Sequence, residues 1–311
     1  MKVGIEANRL GRGGASILEA LIEALLNDVR VDEITVFGNG VPGPRCHVVP
    51  GPTTRLAALR WAVSGWAKTA ERFDRALSFT GFAQAAGQTS FVHNALYYDP
   101  AAALLPVGAQ ARLAVLRELT ADTAQSAQTV IVQSPWMQAA LEADCGVRAH
   151  VVSTIPRAVQ ATSLWERQVD LLWVGNEVAF KDHALAIAAA TRLRRHLTLI
   201  GNTRPMANGP FHTWVGELPR DVVYGYYRRA RVLIMTSRAE SLGLPLAEAM
   251  QCGLPVVSVD LPYARALCGD QAVYFDDLSG LCAALAGPMH RPSLQFDSDA
   301  AFEQFARVVV G

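Results

Sequence analysis

The sequence predicts an α/β protein built from two parallel-sheet domains in tandem. Three observations lead there. Residues 1–37 read strand, glycine-rich loop, helix, strand, the pattern of a βαβ unit. A polar segment opening on Pro156 breaks the alternation, which restarts at Asp170. Apolar residues make up 51% of the 311 and charged ones 18%, so the chain can fill two cores of roughly 150 residues each and is too apolar to be disordered.

The first domain is expected over residues 1–156. Val3-Gly-Ile5 begins its first strand, and residues 8–16, with Gly11, Gly13 and Gly14, form a loop at that strand's carboxyl end. Such a loop either brings backbone close to a ligand or simply turns tightly. Its spacing does not fit the dinucleotide fingerprint, so a nicotinamide cofactor is not expected. Residues 17–26 are a helix, apolar at 17, 18, 21, 22, 25 and 26, and residues 33–37 are the second strand. Residues 55–73 are helical and carry Trp61, Trp66, Arg55, Arg60, Lys68 and Arg72. That composition suits a peripheral contact with an anionic membrane. Glu71 and the many alanines dilute the basic face, which favours a surface helix with both tryptophans in the core. Residues 76–79 and 89–92 are short strands. His93, Asn94, Tyr97 and Tyr98 follow the second of these, where His93 contacts a ligand or hydrogen-bonds locally. A helix over 109–125, a strand over 128–134, a helix from Pro135 with Ser134 as its cap and a strand over 150–155 complete this half.

The second domain is expected over residues 169–295. A strand over 170–174 ends in Gly175 and Asn176, a helix follows over 181–190, and a strand over 196–200 ends in Gly201 and Asn202. A short strand over 213–215 precedes Gly216 and Leu218, then a helix covers 220–229 and a strand 231–235. Most of these strands end in glycine or a small polar residue, and in open α/β sheets that carboxyl edge holds the ligand. Two such domains imply a cleft between them as the default site. Residues 295–310 form a last amphipathic helix with Ser298 as its cap.

The most informative stretch runs Arg238-Ala-Glu240-Ser-Leu-Gly243-Leu-Pro245-Leu-Ala-Glu248-Ala-Met-Gln-Cys-Gly253-Leu-Pro255-Val-Val257. Pro245 suits the first turn of a helix, Gly253 the left-handed position after it, and Pro255 blocks continuation. Glu240 then precedes a helix start whose free amides and dipole attract anions, and Glu248 lies within its first turns. Taken singly, both glutamates are also explained as ordinary helix-start carboxylates, and Lys181 as a solvent-exposed lysine rather than a phosphate contact.

Lys+Arg and Asp+Glu are both 28, so no net charge argues for nucleic acid. Short basic clusters at 192–195 and 226–229 read as solvated helix ends. Five scattered cysteines without metal spacing suit a reducing, cytoplasmic setting. Met1-Lys-Val-Gly-Ile5 opens directly as a strand, so no secretory leader is expected, and no apolar run approaches the roughly 18–20 residues of a membrane span. The seven histidines form no ligand pair, and the one Asp-x-Asp, Asp297 and Asp299, is explained by helix capping. No serine sits in a G-x-S-x-G turn.

The combination of Glu240, seven residues, Glu248, Ala249-Met250, Gly253 and Pro255-Val256-Val257, with Gly175 and Lys181 upstream, resembles the sugar-nucleotide half of retaining glycosyltransferases of the GT-B fold, family four. The likeness extends more loosely through Phe91-Val-His93-Asn94, residues 130–134 and the first glycine loop. It implies two Rossmann-like domains facing each other across a cleft, with the last helix, 296–311, crossing back to the first. It implies that Glu240 faces the donor sugar, near the amides of Ser241, Gly243 and Leu244, and that Glu248 holds the ribose. Lys181 would neutralise the leaving pyrophosphate, Leu218 would meet the base, and Gly175 and Asn176 would line the donor site. Gly13 and Gly14 would let backbone approach the phosphate or acceptor, and His93 would face the donor sugar. Domain closure would then exclude water.

The implied reaction moves a sugar from a UDP- or GDP-linked donor to a hydroxyl acceptor, glycan, lipid-linked or small-molecule, without metal or other cofactor. By family analogy, small enzymes of this type often build bacterial surface polysaccharides or decorate natural products. The alternatives are a sugar-nucleotide epimerase, a phosphorylase or a non-catalytic nucleotide-sugar-binding subunit. Two departures stand out: the family's arginine after the glycine is Asn176, and its glycine after the lysine is Asp182. Arg204, Arg238 and Arg12 are the candidate replacements for the missing cation.

Overall fold

The computed structural model describes residues 1–8, 10, 12–160, 169–201, 207–293 and 295–311. It divides into two compact units. One comprises Met1–Tyr98, Val107–Pro156 and Asp297–Gly311, and the other Asp99–Pro106 and Arg157–Phe296.

The first unit holds a seven-stranded, wholly parallel sheet of β1 (Lys2–Ala7), β2 (Glu33–Gly38), β3 (Cys46–Val49), β4 (Arg75–Ser78), β5 (Thr89–Val92), β6 (Thr129–Val132) and β7 (His150–Val151), in the order β3-β2-β1-β4-β5-β6-β7. Val3, Ile5, Ile34, Val36, Leu77, Phe91 and Ile131 are all buried, as expected for a parallel sheet covered on both faces. Helix α1 (Arg12–Asn27) begins five residues before the sequence suggests, so Gly13 and Gly14 lie in its first turn rather than in a loop. Two adjacent glycines argued for a loop. The buried stripe of Ile17, Leu18, Leu21 and Leu25 fixes the helix, and its first turn extends back through them.

The next helix is interrupted: α2 (Arg55–Arg60), a π-turn (Trp61–Gly65) and α3 (Trp66–Ala70) follow without a break. Thr54 caps it by accepting the Ala57 amide at 3.2 Å. Ala58, Ala62, Trp66 and Ala70 form its buried stripe. A four-residue spacing drifts around a helix of about 3.6 residues per turn, and the wider π-turn offsets that drift. The expectation of two core tryptophans holds for one of them. Trp66 is fully buried and its indole donates to Gln88 Oε1 at 2.7 Å, whereas Trp61 is half-buried. Helices α4 (Val107–Ser126) and α5 (Pro135–Cys145) complete this part. Ser134 holds the cap position of α5 without a capping side-chain bond.

The second unit holds a parallel sheet of β8 (Val169–Val174), β9 (Leu197–Ile200), β10 (His212–Gly216), β11 (Ala230–Met235), β12 (Val256–Val259) and β13 (Val273–Phe275), ordered β10-β9-β8-β11-β12-β13. Its helices are α6 (His183–Leu193), α7 (Arg220–Arg229), α8 (Leu244–Gln251), α9 (Pro262–Cys268) and α10 (Leu278–Ala286). Gly253 follows α8 at φ +65, the left-handed stop that the sequence suggests. Neither basic cluster is a merely solvated helix end. Arg195 pairs with Asp170 at 2.6 Å, and Arg228 and Arg229 donate to the carbonyls of Val159 and Gly225.

Helix α11 (Ser298–Val310) returns to the first unit, packing on α1, β4 and β6. Phe305 is fully buried with its ring 4.9 Å from that of Phe91, and Arg75 donates to the Val310 carbonyl at 3.0 Å. Asp297, not Ser298, is the cap, accepting the Ala300 amide at 2.9 Å. No described helix is long and apolar enough to cross a membrane.

Candidate functional site

In both sheets the strand order reverses beside the first strand, between β1 and β4 and between β8 and β11. Beyond the carboxyl ends of such strands the connections diverge and leave a crevice, the preferred ligand position of open α/β sheets.

In the second unit two connections border that crevice. One leaves β8 through Gly175 and Asn176 to a 3-10 turn at Ala179–Lys181, and the other leaves β11 through residues 236–243 to α8. They are tied together. The Thr236 hydroxyl donates to the Lys181 carbonyl at 2.7 Å and accepts from the Trp173 indole at 3.0 Å, and the Arg238 amide donates to the Phe180 carbonyl at 2.7 Å. Across this seam the Lys181 ammonium forms an ion pair with Glu240. Their side chains are 17% and 14% exposed, which overturns the reading of Lys181 as an ordinary solvated lysine.

Asp182 explains one departure from the family pattern. It adopts φ +49, the left-handed conformation that glycine takes without cost. Aspartate tolerates that region better than most residues. Its carboxylate then accepts from Arg238 at 2.9 and 3.2 Å, so Arg238, a candidate replacement for the missing cation, is already neutralised. Asn176 is exposed. Arg204 and the side chain of Arg12, the other candidates, lie outside the described residues, as does Asn202.

Gly243 is the cap position of α8 at φ +83, and a Cβ there would lie 3.2 Å from the Tyr263 ring. Gly243 itself has no side chain to cap the helix, Ser241 and Leu244 flank its start, and Pro245 occupies its first turn. The dipole and amides of that turn suit an anion. One turn on, Glu248 accepts from the Arg220 Nε and the Tyr227 hydroxyl, both at 3.2 Å. Burial raises its carboxyl above the usual range, and Arg220 and Tyr227 act against that shift. Arg220 also stacks 5.1 Å over the Tyr224 ring, while Tyr224 donates to Gln251 at 2.7 Å. Leu218 is half-buried just before α7, in the connection that delivers Arg220. Sequence reasoning missed Arg220 and Tyr227. The available signal was an arginine at a helix start, where the dipole disfavours a cation.

The glycines at the sheet edge have steric causes. The Gly175 amide donates to Ile200 and the Gly201 amide to Gly216, and a Cβ on Gly201 would lie 2.4 Å from the Gly175 carbonyl oxygen.

In the first unit the crevice is bordered by Glu6, Asn8 and Thr80. Glu6 is fully buried at the end of β1. Its Oε1 accepts the Asn8 amide and side chain, each at 3.1 Å, and its Oε2 accepts the Thr80 amide at 3.3 Å and the Thr80 hydroxyl. Burial raises its carboxyl, and these bonds oppose the shift. His93 leaves β5 stacked on Phe91, centroids 5.1 Å apart. Burial pushes its imidazole down to about 4, against the pull of the Phe91 and Phe79 backbone, so it is neutral near pH 7. Its Nδ1 is buried without a partner among the described residues. Among the described residues no group of three metal-ligating side chains converges.

Lys181, Glu240, Gly243 and Glu248 are thus brought to the connections around one strand-order reversal, while His93, Gly13 and Gly14 belong to the first unit.

Comparison with known proteins bears on the fold and on the second half of the chain. Residues 168–287 match the family model "Glycosyl transferases group 1". The serotype-specific mannosyltransferase WbdA of Escherichia coli is 37% identical over 62 residues, which is 20% of this chain and 8% of that protein, so the match spans less than a tenth of the relative's length. Among solved structures, sucrose-phosphate synthase of Thermosynechococcus elongatus superposes with a TM-score of 0.71 at 15% identity, covering 100% of this chain and 95% of the other. WaaG, a glycosyltransferase involved in lipopolysaccharide biosynthesis, gives 0.67 at 13%, covering 100% and 94%. Alr3699/HepE of Anabaena, solved with UDP and glucose, gives 0.63 at 16%, covering 99% and 95%. The chain has two parallel-sheet α/β domains of the GT-B fold, and its second half carries the sequence pattern of glycosyl transferases group 1.

Proposed function

We propose that the protein is a retaining glycosyltransferase that moves a sugar from a UDP- or GDP-linked donor to a hydroxyl acceptor. The observation that carries this reading is the half-buried Lys181–Glu240 pair, which joins the two connections at the reversal point near the Gly243 start of α8. A diphosphate entering there competes with Glu240 for Lys181. Lys181 then takes up the charge that develops on the leaving group, and Glu240 turns to the hydroxyls of the sugar. Glu248, aligned by Arg220 and Tyr227, holds the ribose. The amides of Ser241, Gly243 and Leu244 meet sugar and phosphate, Gly175 and Asn176 line the phosphate side, and Leu218 meets the base. On the first unit, Gly13 and Gly14 offer first-turn amides without side chains, and neutral His93 offers a hydrogen bond. Lys181 supplies the cation for the leaving group, so the reading requires no metal.

The UDP complex of HepE supports a nucleotide-linked donor. The mannosyltransferase relative and WaaG, involved in lipopolysaccharide biosynthesis, support bacterial polysaccharide biosynthesis as the setting; the acceptor in this reading is a glycan or lipid-linked hydroxyl. All five cysteines are free, which supports a reducing, cytoplasmic setting.

A thermal-shift panel of nucleotide sugars, followed by product analysis of the hits, tests the assignment. Stabilisation by one donor and release of its sugar as the same anomer are expected. Inversion at the anomeric carbon would overturn the retaining step. Exposed Asn176 and engaged Arg238 favour one rival, a binding subunit without turnover. It gains if UDP or GDP raises Tm while no donor is consumed with any acceptor, and conversion of the donor alone to its epimer would favour an epimerase.

A further inference from the structure

We infer that the α2–α3 face of the first unit docks on an anionic lipid surface. This rests on the shape and charge of that face alone and is independent of the transferase reading. Leu56 and Val63 are 58% and 38% exposed. Leu56 borders an open groove of about 440 Å³, together with Thr54, Arg60, Trp61 and Ser64. Gly65 makes the groove possible. A Cβ at that position would lie 2.6 Å from the Trp61 ring, so only glycine lets the half-buried indole lie down along the helix.

The same helical stretch carries Arg55, Arg60, Lys68 and Arg72, all exposed and none in an ion pair among the described residues. Glu71 is the one acid within residues 55–72. A chain with no net charge therefore concentrates cations on one helix. Cations interleaved with aliphatic side chains and a half-exposed tryptophan match a bilayer surface, where the cations meet headgroup phosphates and the apolar side chains enter the acyl boundary. An indole is favoured at that depth. A second copy of the same face would bring like charges together, and a nucleic acid would gain nothing from exposed Leu56 and Val63.

The test is flotation of the full chain with vesicles of phosphatidylcholine, and of phosphatidylcholine mixed with phosphatidylglycerol. Binding to the mixed vesicles and not to phosphatidylcholine alone is expected, weakening as salt is added. The pairs Leu56→Ser with Val63→Ser, and Arg55→Glu with Arg60→Glu, should each lower partitioning at least about tenfold. Their melting temperatures should be unchanged, because all four side chains are exposed. Equal binding to both vesicles, no binding to either, or wild-type partitioning of both variants would overturn the proposal. So would variants that alter only self-association or binding to a nucleic acid, since the face would then serve that partner.

Discussion

In the first unit the crevice beyond β1 and β4 is bridged by Glu6, which is fully buried and accepts from Asn8 and Thr80 on both oxygens. In the second, the crevice beyond β8 and β11 is bridged by Lys181 and Glu240, both partly exposed. The strand order is shared; the chemistry of closure is not. Glu6 is committed to four donors, and its burial makes any rearrangement costly. An ammonium has three donors and a carboxylate about four acceptor sites, so one bond exhausts neither Lys181 nor Glu240. The first closure fixes two strand ends. The second can open to a charged ligand without leaving a buried group unpaired.

The largest effect expected from this contrast is on turnover. Lys181→Ala and Glu240→Ala should each lower donor turnover by about 10²–10³-fold, measured as sugar released per enzyme. Glu6→Ala should act on the fold instead. It leaves the donors of Asn8 and Thr80 facing a void and should lower stability by about 1–3 kcal/mol in urea unfolding, with nucleotide affinity unchanged. The same residue predicts a pH slope. Its folded carboxyl lies above its ordinary 4.5, so its contribution to stability is fully present below that value. The contribution is lost as pH rises through the folded value, and Glu6→Gln should flatten that slope in pH-dependent unfolding.

Smaller effects sharpen the second unit. Glu248→Ala should weaken nucleotide binding about tenfold by calorimetry, roughly the loss of one charged hydrogen bond, and should change kcat less than either mutation of the pair. Asp182→Gly relieves left-handed strain and loses a half-exposed ion pair, two terms of about 1 kcal/mol or less, so Tm should barely move. Asp182→Val, β-branched at the same φ, should lower Tm clearly.

The second unit's candidate site was largely legible because Glu240, Glu248 and Lys181 are polar residues placed where apolar strands end. Their partners were not. Lys181 and Glu240 are 59 residues apart, and Arg220 and Glu248 28 apart, and only the strand order brings those connections together. Asp182 looked like a simple departure until its backbone showed the left-handed turn that glycine would make. In the first unit, the helical stripe outweighed the glycine pair at Gly13 and Gly14. Trp61 and Trp66 look alike in the sequence because an uninterrupted helical period does not foresee a π-turn. Glu6 lies inside an apolar strand, where a lone carboxylate is itself a signal of a buried polar network. The short strands β3 and β13 and the helices α9 and α10 offered too few periodic positions to be placed.

The central claim is that Lys181 and Glu240 act as one unit on a nucleotide-sugar donor. A double-mutant cycle of Lys181→Ala and Glu240→Ala on donor turnover tests it most directly. The double variant should lose about as much as either single one. Near-normal turnover by both single variants would contradict the account.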